Sequence, residues 1–259
     1  MRLSTAHWFV LRELVKRDLR SRYAGSVLGF LWSFLQPLWQ LVLFSFVFAG
    51  VLKVTPVGEH TSSFALFLFC GLLPWLALQE GVVRSITAIT DNAVLVKKLS
   101  FPSEILVLAV VLAALVHEAI ATLVFVGVLA VSGELAWRGL PWLLVALPLQ
   151  VALTLGLGLL FASLQVFMRD TSQLLSLAFG GWFYLTPIVY PLAYVPERFR
   201  SWIEWNPLTA LVGLYRYALL GGERSEITGL ASLGLCSVVV LSLGAWVFAR
   251  LKPAFVDEI

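Results

Sequence analysis

Five runs along the chain, residues 23 to 52, 61 to 79, 139 to 168, 171 to 196 and 227 to 249, contain no Asp, Glu, Lys or Arg, and a sixth, 105 to 131, is interrupted only by His117 and Glu118. A helix rises about 1.5 Å per residue and needs about 20 apolar residues to cross roughly 30 Å of hydrocarbon, so each run is near or above spanning length. The pattern predicts an all-α polytopic membrane protein of six transmembrane helices, at about 27 to 52, 63 to 83, 105 to 131, 140 to 167, 173 to 190 and 227 to 248. The first, about 39 Å as a straight helix, must tilt, kink or protrude, with Pro37 as the expected kink. In the fourth, Gly156, Gly158 and Ser163 leave room for close helix approach.

Three segments between or before the spans have patterns of their own. Residues 6 to 23 set Trp8, Leu11, Val15 and Leu19 at helical spacing, with Glu13, Lys16, Arg17 and Arg20 opposite. This predicts an amphipathic helix lying in the headgroup layer. Residues 84 to 104 are short and polar, consistent with a brief helix capped by Asp91 or Asn92, although a plain loop would look similar. Residues 186 to 222 are too apolar for a solvent loop and too often broken by proline for a span. They read as re-entrant structure, tolerated at membrane depth only where protein or a water-filled cavity satisfies the backbone; a loop with interfacial aromatics is the plainer alternative. Within it, Phe199, Trp202 and Ile203 share one face of a short helix opposite Glu197, Arg200 and Glu204. Asn206 and Pro207 then break it before a second helix, 208 to 220, whose lone interior charge, Arg216, either snorkels to the interface or pairs at a gate.

Composition agrees: 60% of the 259 residues are hydrophobic and mean hydropathy is +0.92, against an apolar share of about 45–50% in soluble domains. The net charge of +3 is too small to suggest a nucleic-acid partner. Its placement is more informative. Twelve of the 18 Lys and Arg residues fall on the side of the N-terminal tail, among them Arg84, Lys97, Lys98, Arg169, Arg250 and Lys252. The positive-inside rule then puts both termini in the cytoplasm. Arg198, Arg200, Arg216 and Arg224 oppose the rule locally, accompanied by Glu197, Glu204, Glu223 and Glu226. The N-terminus lacks the pattern of a cleaved signal and is expected to remain as part of a single domain, 1 to 259. Cys70 and Cys236 sit in apolar runs as small hydrophobes, suggesting neither a disulfide nor a metal site.

Catalytic chemistry finds little support. No glycine is followed by lysine, so there is no P-loop; HExxH and GxSxG are absent, and His7, His60 and His117 are far apart in the predicted topology. The chain is expected not to be an enzyme by itself, to carry no cofactor and to bind no metal. His117 and Glu118 form an intramembrane ionisable pair, but adjacent residues point about 100° apart on a helix and can simply join neighbouring helices. A role in proton coupling stays open. Aromatic residues gather in span one, with Trp32, Phe34, Trp39, Phe44, Phe46 and Phe48, and in span five, with Phe179, Trp182, Phe183, Tyr184 and Tyr190. They suit a passage for sugar rings, or equally a face turned to lipid.

These features come together in RDLRSRYAGSVLGFLWSFLQPL at 17 to 38, GLLPW at 71 to 75, LVKKLSFPSEIL at 95 to 106, VFMRD at 166 to 170, and TPIVYPLAYVPERFR followed by WNPL at 186 to 208. In this order and spacing they resemble the type-2 ABC transporter permeases that export lipid-linked polysaccharide, among them O-antigen, teichoic acid and capsule exporters. The resemblance implies a multi-pass protein of the bacterial inner (cytoplasmic) membrane, with six spans, an N-terminal interface helix over 1 to 23 and two re-entrant helices over 186 to 222. It implies a homodimer bound to two copies of a separate ATP-binding subunit that holds ATP and Mg2+, and a polyprenyl-pyrophosphate-linked glycan as substrate. Carried onto this chain, Trp32, Phe34, Trp39, Trp182, Tyr184 and Tyr190 would line the channel, and Phe199, Trp202, Trp205 and Arg216 would form the external gate. Asp91, Asn92, Lys97 and Lys98, within 84 to 104, would meet the ATPase, and Arg20 and Arg22 would attract the lipid pyrophosphate. A permease for drug or small-lipid efflux is the alternative. A membrane glycosyltransferase is disfavoured, because no paired acidic motif lies on an exposed loop.

Overall fold

The computed structural model describes residues 5–21, 25–53, 55–97, 101–222 and 229–259, in which every regular element is helical. Five helices are long and apolar enough to cross a membrane: Gly29–Phe48, Phe64–Ile86, Glu104–Ser132, Leu140–Phe167 and Leu230–Glu258. The chain opens with α1 (Thr5–Ser21), which enters the first of these through a 3-10 turn at Gly29–Leu31. Helix α2 (Trp32–Phe44) runs through Pro37 and widens into a π-helical turn at Ser45–Val51.

Helix α3 (Phe64–Ile86) is the hub. Ser63 caps its start, and 72% of its apolar window is buried, against 17% for the first and last long helices. The outer faces of those two are therefore the surface left for lipid or another chain. After a short connector with α4 (Ala93–Val96), helix α5 (Glu104–Ser132) runs back beside α3 and stops at Gly133, whose φ of +76° is the left-handed geometry that glycine adopts without penalty. Helix α6 (Leu143–Phe167) and α10 (Leu230–Leu251) make the closest helix pair. A Cβ on Gly244 would lie 2.1 Å from the Gly156 carbonyl oxygen, and one on Gly156 would lie 2.6 Å from the Leu241 backbone. Small residues thus bring these backbones together, which in lipid substitutes for a hydrophobic driving force. A final short helix, α11 (Phe255–Glu258), buries Phe255 against Phe248.

Three expectations are corrected here. The expected fifth span, 173 to 190, forms α7 (Thr171–Leu185) and stops five residues early. Pro187 has no N–H and disfavours helical geometry in the preceding residue, so Thr186 is extended at φ −106°, ψ 132°. The apolar side of α1 is also rotated: Leu11 and Leu14 are buried against the cluster containing Ile105 and Phe248, while Trp8 is exposed. Finally, Asn92 stands at the start of α4 without capping it. Its Nδ2 donates to the Ala88 carbonyl at 2.9 Å, and its Oδ1 accepts from Arg17 at 3.0 Å.

The region between α7 and α10 holds two helices, α8 (Glu197–Glu204) and α9 (Pro207–Leu220). The break between them is Asn206, which caps α9, with Pro207 at its first position where a missing N–H costs nothing. Helix α8 has no buried residue, whereas α9 is packed into the core by Leu208, Leu211, Val212, Tyr215 and Arg216.

Candidate functional site

Arg216 decides how the proline-rich segment is held. It is only 6% exposed, so it does not snorkel. Its Nη1 and Nη2 donate to the carbonyls of Pro187 and Ile188 at 2.8 and 3.0 Å, and its guanidinium lies 3.6 Å from the centre of the Phe67 ring. These carbonyls follow α7 in irregular backbone, where no helix partner is available, and the guanidinium satisfies them together. Gly71 makes the space: a Cβ there would come within 2.9 Å of Nη2. Beside this lock, Trp182 Nε1 donates to Asn206 Oδ1 at 3.0 Å, and Asn206 Nδ2 donates to Thr186 Oγ1 at 2.9 Å. The end of α7 and the start of α9 are therefore tied through one asparagine.

Deeper in the bundle, Tyr215 donates to Gln150 Oε1 at 2.6 Å, and Gln150 Nε2 donates to Glu118 Oε2 at 2.7 Å. This buried chain joins α9, α6 and α5. His117 points elsewhere, its Nδ1 lying 3.6 Å from Glu80 on α3, so the adjacent pair serves two different contacts. Arg84, one turn beyond Glu80, reaches Glu80 at 3.5 Å and Asp18 of α1 at 2.9 Å. With Arg17 donating to Asn92, these bonds fasten α1 to both α3 and the connector that precedes α4. A cavity of about 390 Å³ opens between α2, α3 and α5, with Gln36, Gln40, Glu80, His117 and Glu118 among its walls.

The sequence-predicted site residues fall into separate places. Trp32, Trp39 and Tyr184 are exposed, Phe34 packs edge-on against Phe30, and Tyr190 donates to the Tyr184 carbonyl. Trp182 turns inward against Trp75. None of these six lines the 390 Å³ cavity. Phe199, Trp202 and Trp205 are exposed on and just after α8, apart from the buried Arg216. Asp91 and Lys97 are exposed at the connector, and Arg20 is exposed near the end of α1. Lys98 and Arg22 lie outside the described residues. Sequence reasoning missed Gln150 and Tyr215. The available signal was an amide inside an otherwise charge-free run, though nothing local names its partner.

The family model described as ABC-2 type transporter matches residues 10–220. The chain is 30% identical over 256 residues to the O-antigen export system permease protein RfbA of Myxococcus xanthus, covering 96% of this chain and 95% of that protein. It is 29% identical to an O-antigen export system permease protein RfbA of Klebsiella pneumoniae, over 96% of this chain and 94% of the relative. The polysialic acid transport protein KpsM of Escherichia coli is 25% identical, over 96% of this chain and 95% of KpsM. With its long apolar helices and the match running from α1 through α9, the chain belongs to the ABC-2 type transporter family.

Proposed function

We propose that this chain is the membrane subunit of a bacterial inner-membrane exporter for a lipid-linked polysaccharide of the O-antigen or capsule kind. The observation that carries this reading is the end-to-end similarity to permeases named for O-antigen and polysialic acid transport, over 96% of the chain in each case. In this reading the protein works as a homodimer with two copies of an ATP-binding subunit, which supplies ATP and Mg2+. The exposed connector residues Asp91 and Lys97, with Asn92 and Lys98, meet that subunit. The bonds from Arg17 and Arg84 give the connector a firm attachment to α1 and α3, as a pushed element needs.

Both termini are cytoplasmic and the chain crosses six times. Helix α7 alone is about 22 Å long, short of roughly 30 Å of hydrocarbon. Supporting a sixth crossing, the buried stretch Thr186, Pro187 and Ile188 continues it, with the Pro187 and Ile188 carbonyls accepting from Arg216. Helices α8 and α9 dip back from the outside as the gate, with Phe199, Trp202 and Trp205 at its outer face and Arg216 as its internal brace. The channel forms where two copies meet. Trp32, Phe34, Trp39, Tyr184 and Tyr190 line it, and Trp182 supports the wall from behind. The outward setting of Trp32, Trp39 and Tyr184, on helices whose own chain leaves them uncovered, supports this. Arg20 and Arg22 draw in the lipid pyrophosphate.

Deleting the gene tests the reading. Surface polysaccharide should be lost while the lipid-linked polymer accumulates inside the cell, and a plasmid copy should reverse both. Unchanged surface glycan combined with new sensitivity to exported drugs would overturn it.

A further inference from the structure

Lipid tails offer no hydrogen bonds, so an amide on the outer surface of a membrane helix must find its partner elsewhere. The first long helix, Gly29–Phe48, carries two. Gln40 falls near its middle and Gln36 one turn nearer its start. Gln36 is exposed and Gln40 half-exposed, and neither side chain is hydrogen-bonded among the described residues. Both line the cavity of about 390 Å³, whose other polar groups are engaged. Gln79 accepts from the Trp75 indole, Glu80 lies between Arg84 and His117, and Arg84 also reaches Asp18. His117 Nε2 and Glu118 Oε1 are enclosed by protein and out of reach of an occupant.

The setting of the two amides narrows what they meet. Taking about 100° per residue, Trp32 and Trp39 lie within about 20° of each other around α2, with Gln36 and Gln40 about 40° and 80° from Trp32. The amides thus stand between the cavity that they line and an outer face with two exposed indoles. A carboxamide both donates and accepts, as a hydroxyl does, whereas a phosphate only accepts and an ammonium only donates. An aromatic face beside such a group takes the apolar C–H face of a sugar ring. Amides and indoles on one stripe therefore suit a chain of hydroxyl-rich rings.

We propose that Gln36 and Gln40 hydrogen-bond the hydroxyl groups of the exported glycan while Trp32 and Trp39 carry its ring faces. The assignment rests on the export reading above and adds to it the polar half of the path.

The test uses inside-out membrane vesicles with the ATP-binding subunit and lipid-linked glycan, and a photo-activatable diazirine amino acid placed at position 36, 40 or 38. Leu38 is 40% exposed and lies about 180° around the helix from the midpoint of the two glutamines. Illumination during ATP-driven transport should attach glycan, removable by a glycosidase, at 36 and 40 and little at 38. Gln36→Leu combined with Gln40→Leu keeps the bulk and removes the hydrogen bonds. It should raise the half-saturating glycan concentration roughly ten-fold, as the loss of two hydrogen bonds implies, and lower the maximal rate less. Gln36→Asn with Gln40→Asn should recover part of the loss. Adducts to a second copy of this chain in place of glycan overturn the proposal, as does wild-type half-saturation in the double Leu variant. Wild-type vesicles that move no glycan sink the export reading and this assignment with it, whereas transport without adducts at 36 and 40 sinks the assignment alone.

Discussion

A guanidinium buried in an apolar helix persists only where its N–H groups find acceptors, and Arg216 finds them in a stretch of backbone that has lost its own donors. The two requirements meet: Pro187 and Ile188 need donors, and Arg216 needs carbonyls. Replacing Arg216 with Leu should leave both carbonyls unpaired and destabilise the purified protein by about 2–4 kcal/mol. The measurement is the denaturant midpoint in detergent. Arg216→Lys should recover part of the loss, because an ammonium can serve one carbonyl but lacks the planar fork that reaches two. Equal midpoints for the Leu variant and the wild type would show that the lock carries no stability.

At the scale of elements, the α6 and α10 contact makes the sharpest demand. Gly156 and Gly244 bring two backbones so near that no side chain fits between them. Gly244→Leu must therefore push the helices apart, costing about 1–3 kcal/mol or more, seen as a lowered unfolding midpoint and weaker assembly; Gly127→Leu, where a Cβ meets nothing within 4 Å, should be nearly silent. In the proposed function the connector meets the ATP-binding subunit. Lys97→Glu should lower transport-coupled ATP hydrolysis in reconstituted vesicles several-fold while leaving the fold intact, since Lys97 is exposed. Unchanged coupling would remove Lys97 from the contact with the ATP-binding subunit.

These elements also show what is legible in a sequence of this kind. Long charge-free runs announce five of the helices, because a helix is the cheapest way to satisfy backbone groups in hydrocarbon. Helix α3 nevertheless extends beyond the run ending at residue 79, since Arg84 pairs with both Glu80 and Asp18. The early end of α7 was written in Pro187, but hydropathy, which averages over the break, passes through it. Tertiary choice hid the rest. Leu14 is buried in preference to Trp8 because α1 lies on α5 as well as at a surface, and Gln150 and Tyr215, 65 positions apart, meet only after folding.

At the scale of the whole molecule, burial runs from the hub outward. Helix α3 is enclosed, while Gly29–Phe48 and Leu230–Glu258 keep most of their apolar surface outside. Trp39 on the first of these and Tyr184 on α7 are both exposed, so a passage bounded by them needs a second copy of the chain. A cysteine at Trp39 should therefore cross-link between copies in native membranes, and a cross-link that forms only after solubilisation and aggregation would argue against the pairing. The most direct test of the central claim is transport itself. Inside-out inner-membrane vesicles carrying this chain and its ATP-binding subunit, loaded on the outside with lipid-linked glycan, should move the polymer into the lumen when ATP is added and not with a non-hydrolysable analogue. Polymer that stays accessible to an added glycosidase in the presence of ATP would contradict the account.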